Sequence, residues 1–362
     1  MAERPIPFLR VSGSYEDVGA AIGTACSETI RRECAFDDST IPSGRSRKEQ
    51  LALADRYREV TARAMPWVLR ELDACAGAAD VDPLALFTCF IEEIWYEPRM
   101  AAVGPAGGAA IAGRCSDMVA IAPATLDDHV LTAHNNDMPR QYMDDLVAIE
   151  RRVDGDPSVF TIGNGLWVSV GWNDAGMNLT GNELSPNDER IGIPREIQVR
   201  AMLRERTLEG MVAVALHADR ASSYNNVLVS REGGVANVEG SATDAEVLGA
   251  DERGHLAHTN HYVCDSMLRY EGDPDYAEHS AIRYRRAVDL LDAAAEGTIT
   301  TGVLRGFLSD HENAPDSICR HEHPGGEVVT SFWTVADVTD GRVLYGRGNP
   351  CDSVEQEFAF SG

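Results

Sequence analysis

Residues 166–182 read LWVSVGWNDAGMNLTGN. Two short runs rich in β-branched and aromatic side chains flank Asn173-Asp174-Ala175-Gly176, a cluster suited to a tight turn, so the stretch predicts an antiparallel hairpin. Similar short runs at 115–123, 129–134, 145–152 and 158–163 precede it. Others follow at 224–229, 234–239, 329–338 and 342–347. Helical periodicity occupies 14–97, where Ser14 with Asp17 and Ser46 with Glu49 form capping-box pairs and Asp82-Pro83 opens a further helix. Pro66 should kink or split the second of these helices. A helix from Pro194 to about His217 and two more at 279–295 and 301–309 complete the pattern. Strands in blocks, with helices between the blocks, predict α+β layering rather than a parallel βαβ sheet.

Between the helical front and the first strand lies AAVGPAGGAAIA, residues 101–112. It is poor in large side chains and rich in glycine, and reads as a flexible connector. It divides a helical segment, 1–114, from a strand-rich segment, 115–362.

The chain has 362 residues and a formal net charge of −26. That charge argues against general affinity for nucleic acid or an anionic membrane. No run approaches the ~18 apolar residues of a membrane helix, and the N-terminus has no apolar signal core, so a cytoplasmic protein is the expectation. The eight cysteines form no CxxC pair and read as small buried hydrophobes rather than a disulfide framework.

A P-loop, HExxH, GxSxG and a strand-borne GxGxxG are all missing. Four polar clusters remain: Gly113-Arg114-Cys115-Ser116-Asp117, His134-Asn135-Asn136-Asp137, His258-Thr259-Asn260-His261 and Ser317-Ile318-Cys319-Arg320-His321. Taken singly each has a plain reading, as a core cysteine, a turn, buried histidines or a surface arginine. His255, His258 and His261 invite a metal, but a spacing of three puts neighbours on opposite faces of a strand, and no metal site is assigned. Cys115 stands out by position, where a cut after a connector would expose a new N-terminus.

The order Gly-x-Cys-Ser, HNND, GMNLTGN (176–182), HTNH, SICRH and GNPC (348–351), with PWVLRELDACAGAADVDPLALF (66–87) in front, resembles the acyl-coenzyme A:6-aminopenicillanic acid acyltransferase family. That family belongs to the N-terminal-nucleophile (Ntn) hydrolases. The resemblance implies a four-layer αββα sandwich of two antiparallel sheets, made as a precursor that cuts itself between Arg114 and Cys115 into fragments that stay associated. It further implies Cys115 as nucleophile, Asp137 as the acid beside it, Asn260 as an oxyanion donor and Arg320 as the arginine near the thiol. Relatives commonly carry Gly immediately before the cysteine; here Arg114 takes that place.

Such a site needs no cofactor. The α-amine of an N-terminal cysteine, with a pKa of about 8, can serve as base for its own thiol. The expected substrate is a small amide or amine. Hydrolysis of a small N-acyl amine is the leading activity, and transfer from an acyl-coenzyme A cosubstrate the alternative. A reading from another class is a scaffold that never matures and binds a metal through the histidines of 255–261 and 321–323.

Overall fold

The computed structural model describes residues 4–41, 43–95, 114–324, 326 and 328–360; the connector expected at 101–112 lies outside them. The N-terminal part forms strand β1 (Phe8–Gly13) and helices α1 (Tyr15–Ala25), α2 (Ser27–Cys34), α3 (Arg47–Ala64), α4 (Pro66–Ala79), α5 (Pro83–Thr88) and α6 (Glu92–Trp95). Both capping boxes form, and the Asp82 side chain caps α5. Pro66 splits rather than kinks: α3 ends at Ala64, and Pro66 takes the first turn of α4, where its missing N–H is tolerated.

The hairpin of 166–182 forms as β6 (Val168–Asn173) and β7 (Met177–Asn182). With β4 (Val147–Val153), β5 (Val159–Gly163), β8 (Asn225–Ser230), β9 (Val235–Gly240) and β10 (Ala245–Leu248) they make an eight-stranded sheet in the order β1-β4-β5-β6-β7-β8-β9-β10. A six-stranded sheet has the order β11-β2-β3-β12-β13-β14. Its strands are β2 (Arg114–Ala120), β3 (Leu131–Pro139), β11 (His255–His258), β12 (Val328–Asp337), β13 (Arg342–Arg347) and β14 (Gln356–Ala359). Among the described residues the strand pairings within both sheets are antiparallel except that of β1 with β4, which is parallel.

Four layers follow from the side chains. Between the sheets, Phe160 and Val227 of the first meet Val119, Phe332 and Tyr345 of the second. The outer face of the second sheet, with Met118, Ala133 and Trp333, is covered by α9 (Pro274–Ala293) and α10 (Thr301–Leu308) through Ala287, Leu291 and Leu304. The outer face of the first is covered by the N-terminal helices and by α7 (Arg195–Met202) and α8 (Leu208–Ala215). The helical front and the strand-rich remainder thus share one core, in the order αββα.

Two expectations change in detail. The helix opened by Pro194 is two helices, because Thr207 caps a new start by accepting from the Gly210 N–H. The helix expected from 279 begins at Pro274, behind the Asp273 cap.

Candidate active site

Cys115 is the second residue of β2 and faces Asn136 of β3. Side chains alternate across a strand, so Cys115 and Asp117 share the face that carries Val119 into the core between the sheets. On β3, His134 and Asn136 share that face. The thiol is buried, and Asn136 Nδ2 lies 3.5 Å from Sγ while donating to Ser169 Oγ of the other sheet at 3.0 Å. Ser331 Oγ holds Asn136 in turn, donating to its backbone O at 2.7 Å.

The backbone of Cys115 is held as closely as its thiol. Its N–H donates to Asn260 Oδ1 at 2.8 Å, and its carbonyl accepts from Arg283 Nη1 at 2.5 Å. Arg283 also donates to Ser116 Oγ at 3.1 Å and to Asn260 Oδ1 at 3.0 Å. Asn260 follows β11; its N–H donates to Ser280 Oγ at 2.7 Å and its Nδ2 to Glu183 O at 3.1 Å. Ser280 and Arg283 lie one turn apart on the buried side of α9, so this helix sets both partners.

A charged pair lies behind the thiol. His134 Nδ1 is 3.0 Å from Asp117 Oδ1, and both side chains are fully buried. Burial works against the charged ring, yet the Asp117 carboxylate and the Cys115 contact outweigh it and raise the His134 pKa to about 10. The ring is therefore an imidazolium at neutral pH. Burial pushes the Cys115 thiol up, and His134 offsets part of that rise.

The sequence profile described as acyl-coenzyme A:6-aminopenicillanic acid acyl-transferase matches residues 125–348, more than half of the chain. The chain belongs to that acyltransferase family. It is accordingly an enzyme of the Ntn type, an amide-bond hydrolase or an N-acyltransferase. Among solved structures it is similar to two forms of the conjugated bile acid hydrolase from Clostridium perfringens. One is a mutant at 12% identity and TM-score 0.44, the other a variant at 13% and 0.46, each pairing covering 68% of this chain and 97% of the other. It is also similar to penicillin V acylase from Agrobacterium tumefaciens, at 14% identity and TM-score 0.42, covering 64% of this chain and 83% of that one. No curated protein matches.

Of the residues that the acyltransferase family's motifs single out, Cys115 and Asn260 are bonded to each other. The backbone of Asp137 pairs with that of Arg114, but the Asp137 side chain lies on the helix-covered face, opposite the thiol. There Asp137 accepts from Thr330 Oγ1 at 2.8 Å; burial raises its pKa, and the charges of Arg320 and Arg283 act against the rise. Arg320 is buried, donates to Asp316 Oδ1 at 3.3 Å and exerts its charge on Asp137.

Four residues around the thiol have no role assigned by motif: Asp117, His134, Asn136 and Arg283. The first three do stand in the polar clusters 113–117 and 134–137, a signal visible in the sequence. Arg283 has a fainter one. The buried stripe of α9 is Tyr276, Ser280, Arg283, Ala287 and Leu291, and an arginine within such a stripe needs a buried acceptor.

The three spaced histidines do not converge. His258 Nε2 pairs with Glu239 Oε1 at 2.7 Å, His261 Nδ1 meets Ser280 Oγ at 2.9 Å, and His255 lies beside Asp292. They brace the segment that carries Asn260. Among the described residues no helix is long and apolar enough to cross a membrane.

Proposed function

We propose that this chain is an N-terminal-cysteine amidohydrolase that cleaves a small N-acyl amine or amino-acid amide through a thioester on Cys115, after maturation by cleavage between Arg114 and Cys115. The observation that carries this reading is the double hold on Cys115. Its N–H is bonded to Asn260 and its carbonyl to buried Arg283, while its thiol meets Asn136 and the charged His134. Any buried residue needs partners for its backbone N–H and C=O, but a merely structural core cysteine needs neither an amide nor a charged imidazole against its thiol.

Maturation begins when the Cys115 thiol attacks the Arg114 carbonyl carbon. The peptide C–N bond breaks as the C–S bond forms, which frees the Cys115 amine, and water then hydrolyses the thioester to release the Arg114 carboxylate and restore the Cys115 thiol. The amine, with a pKa of about 8, takes the thiol proton during attack on substrate. Asn260 Oδ1, which accepts the N–H before cleavage, orients the amine afterwards. Asn260 Nδ2 is the expected donor to the oxyanion, and Asp137, on which Arg320 exerts its charge, pairs by its backbone with residue 114. The His134 imidazolium favours the thiolate by its charge. Collapse of the tetrahedral intermediate expels the amine product, which carries off the proton, and water releases the acid from Cys115.

Intact mass spectrometry of the wild type beside Cys115→Ala tests this directly. Fragments 1–114 and 115–362 are expected in the wild type only, with an acyl adduct on the second fragment when hydrolysis is slowed. An uncut wild type that still turns over amides overturns the maturation step. Adduct formation from an acyl-coenzyme A in preference to an amide would make the enzyme a transferase. Asn260→Ala should lower kcat by ~10²- to 10³-fold, the usual cost of losing an oxyanion donor.

A further inference from the structure

At one end of the six-stranded sheet, two connections bring four metal-ligating atoms to a single point, the one between α10 and β12 and the one between β13 and β14. His311 follows α10, Cys319 and His321 flank Arg320 on the way to β12, and Cys351 lies in the turn after β13. His311 Nε2 and His321 Nε2 are 3.0 Å apart, and Cys319 Sγ and Cys351 Sγ are 3.8 Å apart. His321 Nε2 is 3.7 Å from Cys319 Sγ and 3.4 Å from Cys351 Sγ. All four atoms lie within 4.8 Å of one another.

The four distances lie within about 0.3 Å of those of a filled tetrahedron. With Zn–S of about 2.3 Å and Zn–N of about 2.0–2.1 Å, the donors around a zinc ion stand about 3.8 Å (S to S), about 3.6 Å (S to N) and about 3.3 Å (N to N) apart. Hydrogen bonding explains the cluster poorly, because two facing imidazole nitrogens can share only one proton and thiols are weak donors and weak acceptors. A disulfide would require the sulfurs at about 2.05 Å; at 3.8 Å they sit as co-ligands.

We propose that His311, Cys319, His321 and Cys351 form a closed Cys2His2 site for one zinc ion. An S2N2 tetrahedron suits zinc among the common divalent metals, and four protein ligands leave no open position, so the ion's role is structural. Asn349 supplies the supporting bond such sites use: its Nδ2 donates to Cys319 Sγ at 3.3 Å and to Arg320 O at 2.7 Å. Arg320 lies between two ligands in the chain, so the ion would tie down the segment that carries the arginine whose charge acts on Asp137. The histidines at 255, 258 and 261 invite a metal in sequence but lack this convergence.

The test uses the full chain without a histidine tag. Metal analysis after dialysis is expected to find one zinc per chain. Apo protein titrated with Co2+ is expected to show tetrahedral d–d bands and a thiolate-to-cobalt band that saturate at one equivalent. Cys351→Ser and His311→Gln alter exposed positions; they should keep the wild-type circular dichroism while retained zinc falls at least ~10-fold, and Asn349→Ala should weaken binding by ~10-fold. The proposal is overturned by an octahedral cobalt spectrum, by full zinc retention in both ligand variants, or by a peptide map in which Cys319 and Cys351 are joined as a disulfide. Cys115→Ala protein should bind zinc like the wild type, so this outcome is read independently of the amidohydrolase chemistry.

Discussion

His134 is the residue on which the electrostatics of the thiol turn. Its charge is held by Asp117, both side chains being fully buried, and the pKa of about 10 follows from that pairing together with the Cys115 contact. The folded value lies above the ordinary value of 6.5. The stability it contributes is therefore complete below about pH 6.5 and is lost as pH rises through about 10, by on the order of a few kcal/mol. His134→Asn removes that dependence, so denaturant titrations between pH 6 and pH 10 should give a flatter stability curve for the variant. The same substitution removes positive charge beside Cys115. Alkylation of the thiol by iodoacetamide should slow by ~3- to 4-fold for each unit its pKa rises, the tenfold loss of thiolate being partly offset by its greater nucleophilicity. An unchanged alkylation profile would mean that His134 does not act on the thiol. Much of this site was legible: Cys115 and Asn260 stand in motifs whose order carries the family, and they are bonded in the fold. Arg283 was not legible, because its role depends on α9 crossing the start of β2, a contact between residues 168 apart in sequence.

At the scale of elements, the front of the molecule depends on how closely α1 and α4 approach. Gly19 and Gly23 lie one turn apart on α1, and a methyl at either would fall on the backbone carbonyl of Glu71 or Cys75 in α4. Backbone cannot swing aside as a side chain can, so Gly23→Ala must push the helices apart. A loss of ~1–3 kcal/mol is expected, as for other overpacked cores, read as a lower urea midpoint with unchanged m. Another joint links α6 to α7: Arg195 Nε donates to Glu92 Oε2 at 2.6 Å, and Tyr224 OH bridges Glu92 and Glu196 at 2.5 and 2.7 Å. Burial and the neighbouring Glu92 raise the Glu196 pKa to about 8 from 4.5. An acid whose pKa rises on folding takes stability away as pH climbs from about 4.5 through about 8. Glu196→Gln should hold its melting temperature more level across that range than the wild type does. Helix α7 was readable from Pro194, a local signal, whereas α6 has no cap or proline of its own and was legible only within the helical periodicity of 14–97. Strands β1 and β11 were not: β1 buries only Val11 fully, and β11 carries two histidines in four residues, so neither shows the apolar alternation of a core strand. Their pairing partners, β4 and β2, supply the order that their own sequences lack.

For the whole molecule, the net charge of −26 bears on which substrates reach Cys115. Field lines from so many carboxylates extend about 30 Å at 0.01 M salt and about 3 Å at 1 M, so any attraction or repulsion they cause must fade as salt is added. Near the thiol Asp117 stands against His134 and Asp137 against Arg320 and Arg283, a local surplus of about one positive charge beside −26 for the chain. Selection by charge therefore belongs to the approach and not to the bond-breaking step, and it should appear in kcat/KM and spare kcat. Two N-acyl amides that differ only in a cationic or a neutral amine portion make the comparison. The cationic one is expected to lose kcat/KM as ionic strength rises, the neutral one to stay level, and an acyl-coenzyme A to gain. A cationic substrate that gains with salt, or a coenzyme A thioester that loses, would mean that arginines local to the entrance outweigh the global charge, and would turn the balance between hydrolysis and transfer towards transfer.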